Sequence, residues 1–235
     1  MCYRYPTIQS TNQGYHMASI TNTNNTSSYV ASDNKAYILG DFDRKEMRDF
    51  IGNLNGLIHE MPVTPIYDIS TYITSPYATE HIKNPILDIY IDSNGGDVRV
   101  LQDISTLLGI AKSRGAIIRT TVLSCAFSCG SLLAIQGTPG FRIMSNTAEH
   151  LIHFGRANIS FTSETNKDSA IAHINVREQQ IWDLYETHTK LPRKIYKKIH
   201  QHSEGKYFNA NECLQHGLCD WIINSNGIIT GHGQR

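Results

Sequence analysis

Leu87-Asp88-Ile89-Tyr90-Ile91-Asp92, closed by Ser93-Asn94-Gly95-Gly96, is the stretch on which the fold turns. The first six residues are a β-rich run, and the two glycines let the backbone turn sharply. Beyond them Val100, Leu101, Ile104, Leu107, Leu108 and Ala111 recur at helical spacing. A strand, a tight turn and a helix are predicted in that order. The series repeats downstream: Ala116 to Leu123 reads as strand, Ser128 to Gln136 as a short apolar helix, and Phe141 to Met144 as strand. Upstream, Tyr37-Ile38-Leu39-Gly40 is a short strand that feeds a helix marked by Met47, Phe50, Ile51, Leu54, Leu57 and Ile58. Strands alternating with helices imply βαβ units and a parallel sheet, so the fold class is α/β.

The chain has 235 residues with 21 Lys+Arg against 21 Asp+Glu. A formal net charge of zero leaves no electrostatic footprint for nucleic acid or an anionic membrane. A hydrophobic content of 40% suffices for a buried core and excludes disorder of the whole chain. Apolar runs such as Leu132 to Ile135 fall far short of the roughly 18–20 residues of a membrane span. The N-terminus has no basic and hydrophobic regions of a secretory signal, so cytoplasmic residence is expected. Cys2, Cys125, Cys129, Cys213 and Cys219 are an odd, scattered set, read as reduced thiols and not as a metal site.

Residues 1–30 are rich in Ser, Thr, Asn and Gln and read as a flexible polar arm. Residues 31–228 form the folded domain, and 229–235 a polar tail. Residues 62–85, with Pro62, Pro65, Pro76 and Pro85, read as a long surface connection. Leu151-Ile152-His153-Phe154 is an extended piece, and a long helix marked by Ile171, Ile174, Ile181, Leu184, Tyr185 and His188 follows it.

Three elements could carry chemistry. Ser128 lies in Ser124-Cys125-Ala126-Phe127-Ser128-Cys129-Gly130-Ser131, between a strand and an apolar helix. A serine there could attack a carbonyl while nearby amides hold the oxyanion, although serine is also a common helix N-cap. Ser93 to Gly96 offers backbone N–H groups at a neighbouring strand end. His153 ends a later strand. In an open α/β sheet such strand ends converge where sites form.

The combination of strand then Ser-x-Gly-Gly, an apolar crossover helix, Ala-x-Ser-x-Gly and a strand-ending Ile-His resembles the Clp protease proteolytic subunit (ClpP) family. The 25-residue interval from Ser128 to His153 is the family's spacing, and Asn209 to Asp220 resembles its C-terminal Ala-x-Glu-Ala-x-x-x-Gly-Leu-x-Asp segment. The resemblance runs from about Tyr37 to Ile223. It implies a ClpP/crotonase-like fold of stacked ββα units with a protruding handle helix at about 156–190. It implies a serine endopeptidase with Ser128 as nucleophile, His153 as base, and Gly96 and Cys129 as oxyanion-hole donors, needing no cofactor or metal. It also implies a homo-oligomeric ring, polypeptide substrates and an AAA+ ATPase unfoldase as partner, with no role for nucleic acid or membrane.

The sequence departs from the family at one catalytic position: counting back from Gly217-Leu218-x-Asp220, Gly205 stands where the family has its third residue, an Asp. Glu204 is the neighbouring candidate, and Asp168 a lesser one because the handle pattern occupies it. Asn94 stands for the usual Pro and Cys129 for the usual Met. A catalytically silent ring subunit and a processing protease of the prohead type, acting without an unfoldase, remain the alternative readings.

Overall fold

A computed structural model describes residues 27–66, 75–153, 164–201 and 205–231. Most of the expected arm, parts of the proline-rich connection, the start of the expected handle, Glu204 and the last four residues lie outside these.

The strand predicted from Leu87 is β3 (Ile86–Ser93), and it lies inside the sheet with a neighbour on each side. Its Leu87, Ile89, Ile91 and Ser93 are buried while Tyr90 and Asp92 on the other face are half-exposed, as a period of two requires. β2 (Lys35–Leu39) pairs with it in parallel on one side and β4 (Ile117–Phe127) on the other. β1 (Ser28–Ser32) adds antiparallel to β2 through the two-residue turn Asp33-Asn34, both at positive φ. Ser28 to Val30, expected in the arm, therefore belong to the sheet.

β4 is longer than the sequence pattern predicts. Its pairing with β3 jumps from Ile91↔Val122 to Ser93↔Ala126, so two extra residues bulge out of β4 near Leu123, whose side chain is exposed. Beyond the bulge the strand resumes and changes partner. Thr120 to Val122 pair with β5 (Arg142–Ser145), whereas Cys125 to Phe127 pair with β6 (Glu149–Ile152). β7 (Lys206–Asn209) closes on β6, β8 (Trp221–Ile223) on β5, and β9 (Ile229–Gly231), expected in the polar tail, on β8. Because β4 is split between two partners, its last residues pair with β6 and not with β5, and the sheet branches there.

Helices α1 (Arg48–Glu60) and α2 (Val98–Ser113) present Phe50, Leu54, Ile58, Val100, Leu101, Ile104 and Leu108 to the buried sheet face. Asp97 caps α2 by accepting from the Arg99 N–H. α3 (Cys129–Ala134) is wholly buried. α4 (Glu164–His188) is the long helix: Ile171 and Val176 are exposed, whereas Trp182 and Tyr185 near its C-terminal end are buried. The helix is anchored at its C-terminal end. α5 (Arg193–Gln201) and α6 (Ala210–His216) follow. α6 starts with a capping box, Asn209 with Glu212, and stops at left-handed Gly217.

The C-terminal strands are locked by Arg142 and Asp220. The guanidinium gives Nε and Nη2 to the two Asp220 carboxylate oxygens, and Nη1 to the carbonyls of His188 and Gly217. The carboxylate also accepts from the Gly140 N–H at 2.7 Å. One largely buried pair thus ties β5, β8 and the ends of α4 and α6.

Candidate active site

Ser128 occupies the junction between β4 and α3 with φ 54° and ψ −117°. Only Asp33 and Asn34, in their hairpin turn, share a positive φ among the described non-glycine residues. A serine held there is strained by about 1–3 kcal/mol, a conformation that persists only when its surroundings enforce it. Its side chain makes no capping bond to α3. The helix-cap role that such a serine commonly has is absent, and the sharp strand-to-helix turn instead has the form of a nucleophile elbow.

The surroundings that enforce this turn are the two glycines. Gly95 has φ 98°, and a Cβ there would lie 2.6 Å from Ser128 Cβ and 2.7 Å from the Phe127 carbonyl. Gly96, at φ 137°, is pinned from the far side: a Cβ would stand 2.6 Å from the Phe42 carbonyl. Phe42 donates its N–H to the Gly95 carbonyl and accepts from the Asp97 N–H. The two turns named in the sequence are therefore packed on each other. Cys129 is the first residue of α3, so its N–H has no acceptor within the helix. Its thiol donates to the Gly96 carbonyl at 3.2 Å. Burial pushes that thiol up to about 11, so it stays protonated near neutral pH and does not compete as a nucleophile.

β6 delivers His153. The Ser128 N–H donates to the Leu151 carbonyl at 2.9 Å, which fixes the two strand ends against each other two residues before His153. His153 is half-buried, and Gly205 lies against it. A Cβ on Gly205 would stand 2.6 Å from His153 Cβ and 2.5 Å from the Ile152 carbonyl, at φ 79°. The position of the expected third residue is thus beside the histidine, as the sequence anchor implies. It has no room for a side chain. Glu204 lies outside the described residues.

Sequence reasoning missed a second polar cluster. Tyr185 of α4 donates to Ser131 Oγ at 2.9 Å, and Ser131 Oγ lies 3.0 Å from His150 Nδ1, with Ser131 and His150 fully buried. Among the described residues His150 Nε2 has no hydrogen-bond partner. Leaving that group unsatisfied costs about 1–3 kcal/mol. The available signal was the alternation around His150 and Ile152, which turns both inward, but the link from residue 131 to 150 is tertiary.

Burial, assisted by the charge of Arg142, pushes His150 down to about 3. An unfolded histidine titrates near ~6.5. Between those values the unfolded chain binds a proton that the folded chain does not. The resulting stability is fully present above about pH 6.5 and is lost as the pH falls toward 3, by up to about 1.4 kcal/mol per unit. Urea unfolding of the wild type should therefore weaken from pH 7 to pH 5 more steeply than that of His150→Gln; parallel profiles would contradict a neutral buried His150.

Cys129, Cys213 and Cys219 are free and buried, as expected of reduced thiols. Cys125 corrects that expectation, being disulfide-bonded. It sits in the resumed part of β4, where Ser124 Oγ donates to Asp92 at 2.5 Å.

Residues 77–226 match the model of the Clp protease family. Among curated proteins the chain is 33% identical over 149 residues to the ATP-dependent Clp protease proteolytic subunit of Streptococcus uberis, covering 60% of this chain and 69% of that protein. It is 32% identical over 148 residues to that of Streptococcus mutans, with the same coverage. The counterpart from Streptococcus pyogenes serotype M5 is 28% identical over 142 residues, again with 60% of this chain and 69% of the relative covered. Together with the parallel sheet, the elbow and the end-anchored helix, these matches place the chain: it belongs to the Clp protease family of serine peptidases.

Proposed function

We propose that the chain is the proteolytic subunit of a Clp-type endopeptidase in which Ser128 is the nucleophile and His153 its base. The observation that carries this reading is the strained backbone of Ser128, which serves no capping role and points a hydroxyl from a fixed elbow. Ser128 Oγ attacks the peptide carbonyl carbon while His153 takes its proton. The N–H groups of Gly96 and Cys129 receive the developing oxyanion, one from each of the two packed turns. His153 returns the proton to the leaving amine, and water then hydrolyses the acyl-serine with the same histidine as base. With Gly205 beside His153, the pair works without a carboxylate from that position.

A cavity of about 370 Å³ supports an apolar preference in the substrate. Val98, two residues past Gly96, lines it with Leu101, Leu132, Ile181 and Leu184, and Arg177 stands among them. Its walls join α2, α3 and the handle, so one apolar side chain of an unfolded polypeptide fits beside the proposed oxyanion turn. The relatives are named as subunits of an ATP-dependent protease. That supports a ring of copies of this chain served by an ATPase that delivers unfolded polypeptide.

A second reading assigns the nucleophile–base pair to Ser131 and His150, on the strength of their 3.0 Å contact. Full burial of both opposes it, because a peptide carbonyl has no route to Ser131 Oγ. Intact and peptide mass spectrometry after treatment with a small fluorophosphonate decides. One adduct, on Ser128 and absent from Ser128→Ala, is the expected result. An adduct on Ser131 would establish the second reading, and none at all would favour a silent ring subunit.

A further inference from the structure

The cluster of Tyr185, Ser131 and His150 lies outside the chemistry just assigned, and its proton directions can be read. The tyrosine hydroxyl donates to Ser131 Oγ. If the serine hydroxyl then donates to His150 Nδ1, one buried group is left over, the Nε2–H. The reverse tautomer would leave two, the serine proton and the Nε2 lone pair. The chain of bonds therefore runs from tyrosine to serine to histidine.

Each member stands on a different part of the proposed site. Ser131 is one turn beyond Ser128 on α3, His150 is three residues before His153 on β6, and Tyr185 belongs to the anchored end of α4. Elsewhere these elements meet through apolar side chains such as Leu132, Leu133 and Trp182. Apolar burial is non-directional and tolerates small slides of one element on another, whereas two buried hydrogen bonds at 2.9 and 3.0 Å do not. An apolar trio of similar shape would fill the same space without an orphaned N–H.

We infer that Tyr185, Ser131 and His150 are positioning residues, a buried chain of hydrogen bonds that holds the elbow of Ser128 in register with the strand end of His153 and ties both to the handle. This rests on the assignment of Ser128 as nucleophile. None of the three touches substrate; they act through α3 and β6.

The test is the rate of fluorophosphonate labelling of the full-length protein, with the site of the adduct mapped and the urea midpoint measured in parallel. Tyr185→Phe keeps the ring and removes the donor. It should slow labelling of Ser128 by about tenfold, and lower kcat for a fluorogenic peptide with KM unchanged, because small misplacements of reacting groups have effects of that order. The all-apolar Ser131→Ala/His150→Phe/Tyr185→Phe should match or exceed the wild-type urea midpoint and still label at least about tenfold more slowly. A purely structural cluster predicts the opposite, with reactivity returning as stability returns. Labelling of Tyr185→Phe within about twofold of wild type overturns the inference alone, and remains decisive if the triple variant does not fold. Wild type labelled on Ser131, or on no residue, overturns the assignment of Ser128 and this inference with it.

Discussion

Ser128→Ala lowers the rate of peptide hydrolysis by a factor on the order of 10⁴ or more, while the protein keeps its fold. The size follows from the role proposed for the residue: without the hydroxyl no acyl intermediate forms, and what remains is transition-state binding by the backbone donors. The backbone adds a second, independent expectation. At φ 54° and ψ −117° alanine is as strained as serine, but glycine is not. Ser128→Gly should therefore be equally inactive and yet more stable than wild type by about 1 kcal/mol. Peptide turnover and urea midpoints of the two variants check both statements. Turnover that survives in Ser128→Ala removes the nucleophile assignment, and a Ser128→Gly protein that unfolds earlier than wild type removes the strain.

Arg142→Met destabilises the fold by about 3–5 kcal/mol, the range for breaking a buried pair from one side. The guanidinium is 8% exposed and serves two carboxylate oxygens and two carbonyls. Methionine fills the volume but leaves Asp220 charged and facing unpaired acceptors. Adding Asp220→Asn should recover part of the loss, because it removes the uncompensated charge. Unfolding is compared at one protomer concentration, since any association adds to apparent stability. A loss under about 1 kcal/mol would show that the pair is dispensable.

The central strand–turn–helix was legible because Leu87 to Gly96 states its pattern locally: a β-rich run, a pair of glycines, then helical spacing. The last helix carries equally local marks in Asn209, Glu212 and Gly217 at its two ends, but its segment was read only through its resemblance to the family. β4 was not read to its end because the bulge at Leu123 breaks the alternation, and the Ser-Cys-Ala that follows has little strand character. Ser128 and the turn from Ser93 to Gly96 were marked by their positions at strand ends and given roles by the family resemblance, and the structure adds their contact through Gly95 and Phe42. Nothing in the sequence signals the empty space denied at Gly205, which depends on the backbone of Ile152 packing against it. The links from Ser131 to Tyr185 and from Arg142 to Asp220 span 54 and 78 residues, so no local window contains them.

That last separation has a bearing on how the molecule is made. During synthesis the segments bearing Ser128 and His153 leave the ribosome well before Asp220 does. At about 5–20 residues per second the interval from residue 128 to residue 220 is roughly 5–20 s. For that time Arg142 has no carboxylate, and β5 has β4 on one side but not β8 on the other. A peptidase whose framework closes on β8 acquires its active form only after Asp220 has been added, and nascent chains beside it are spared until then.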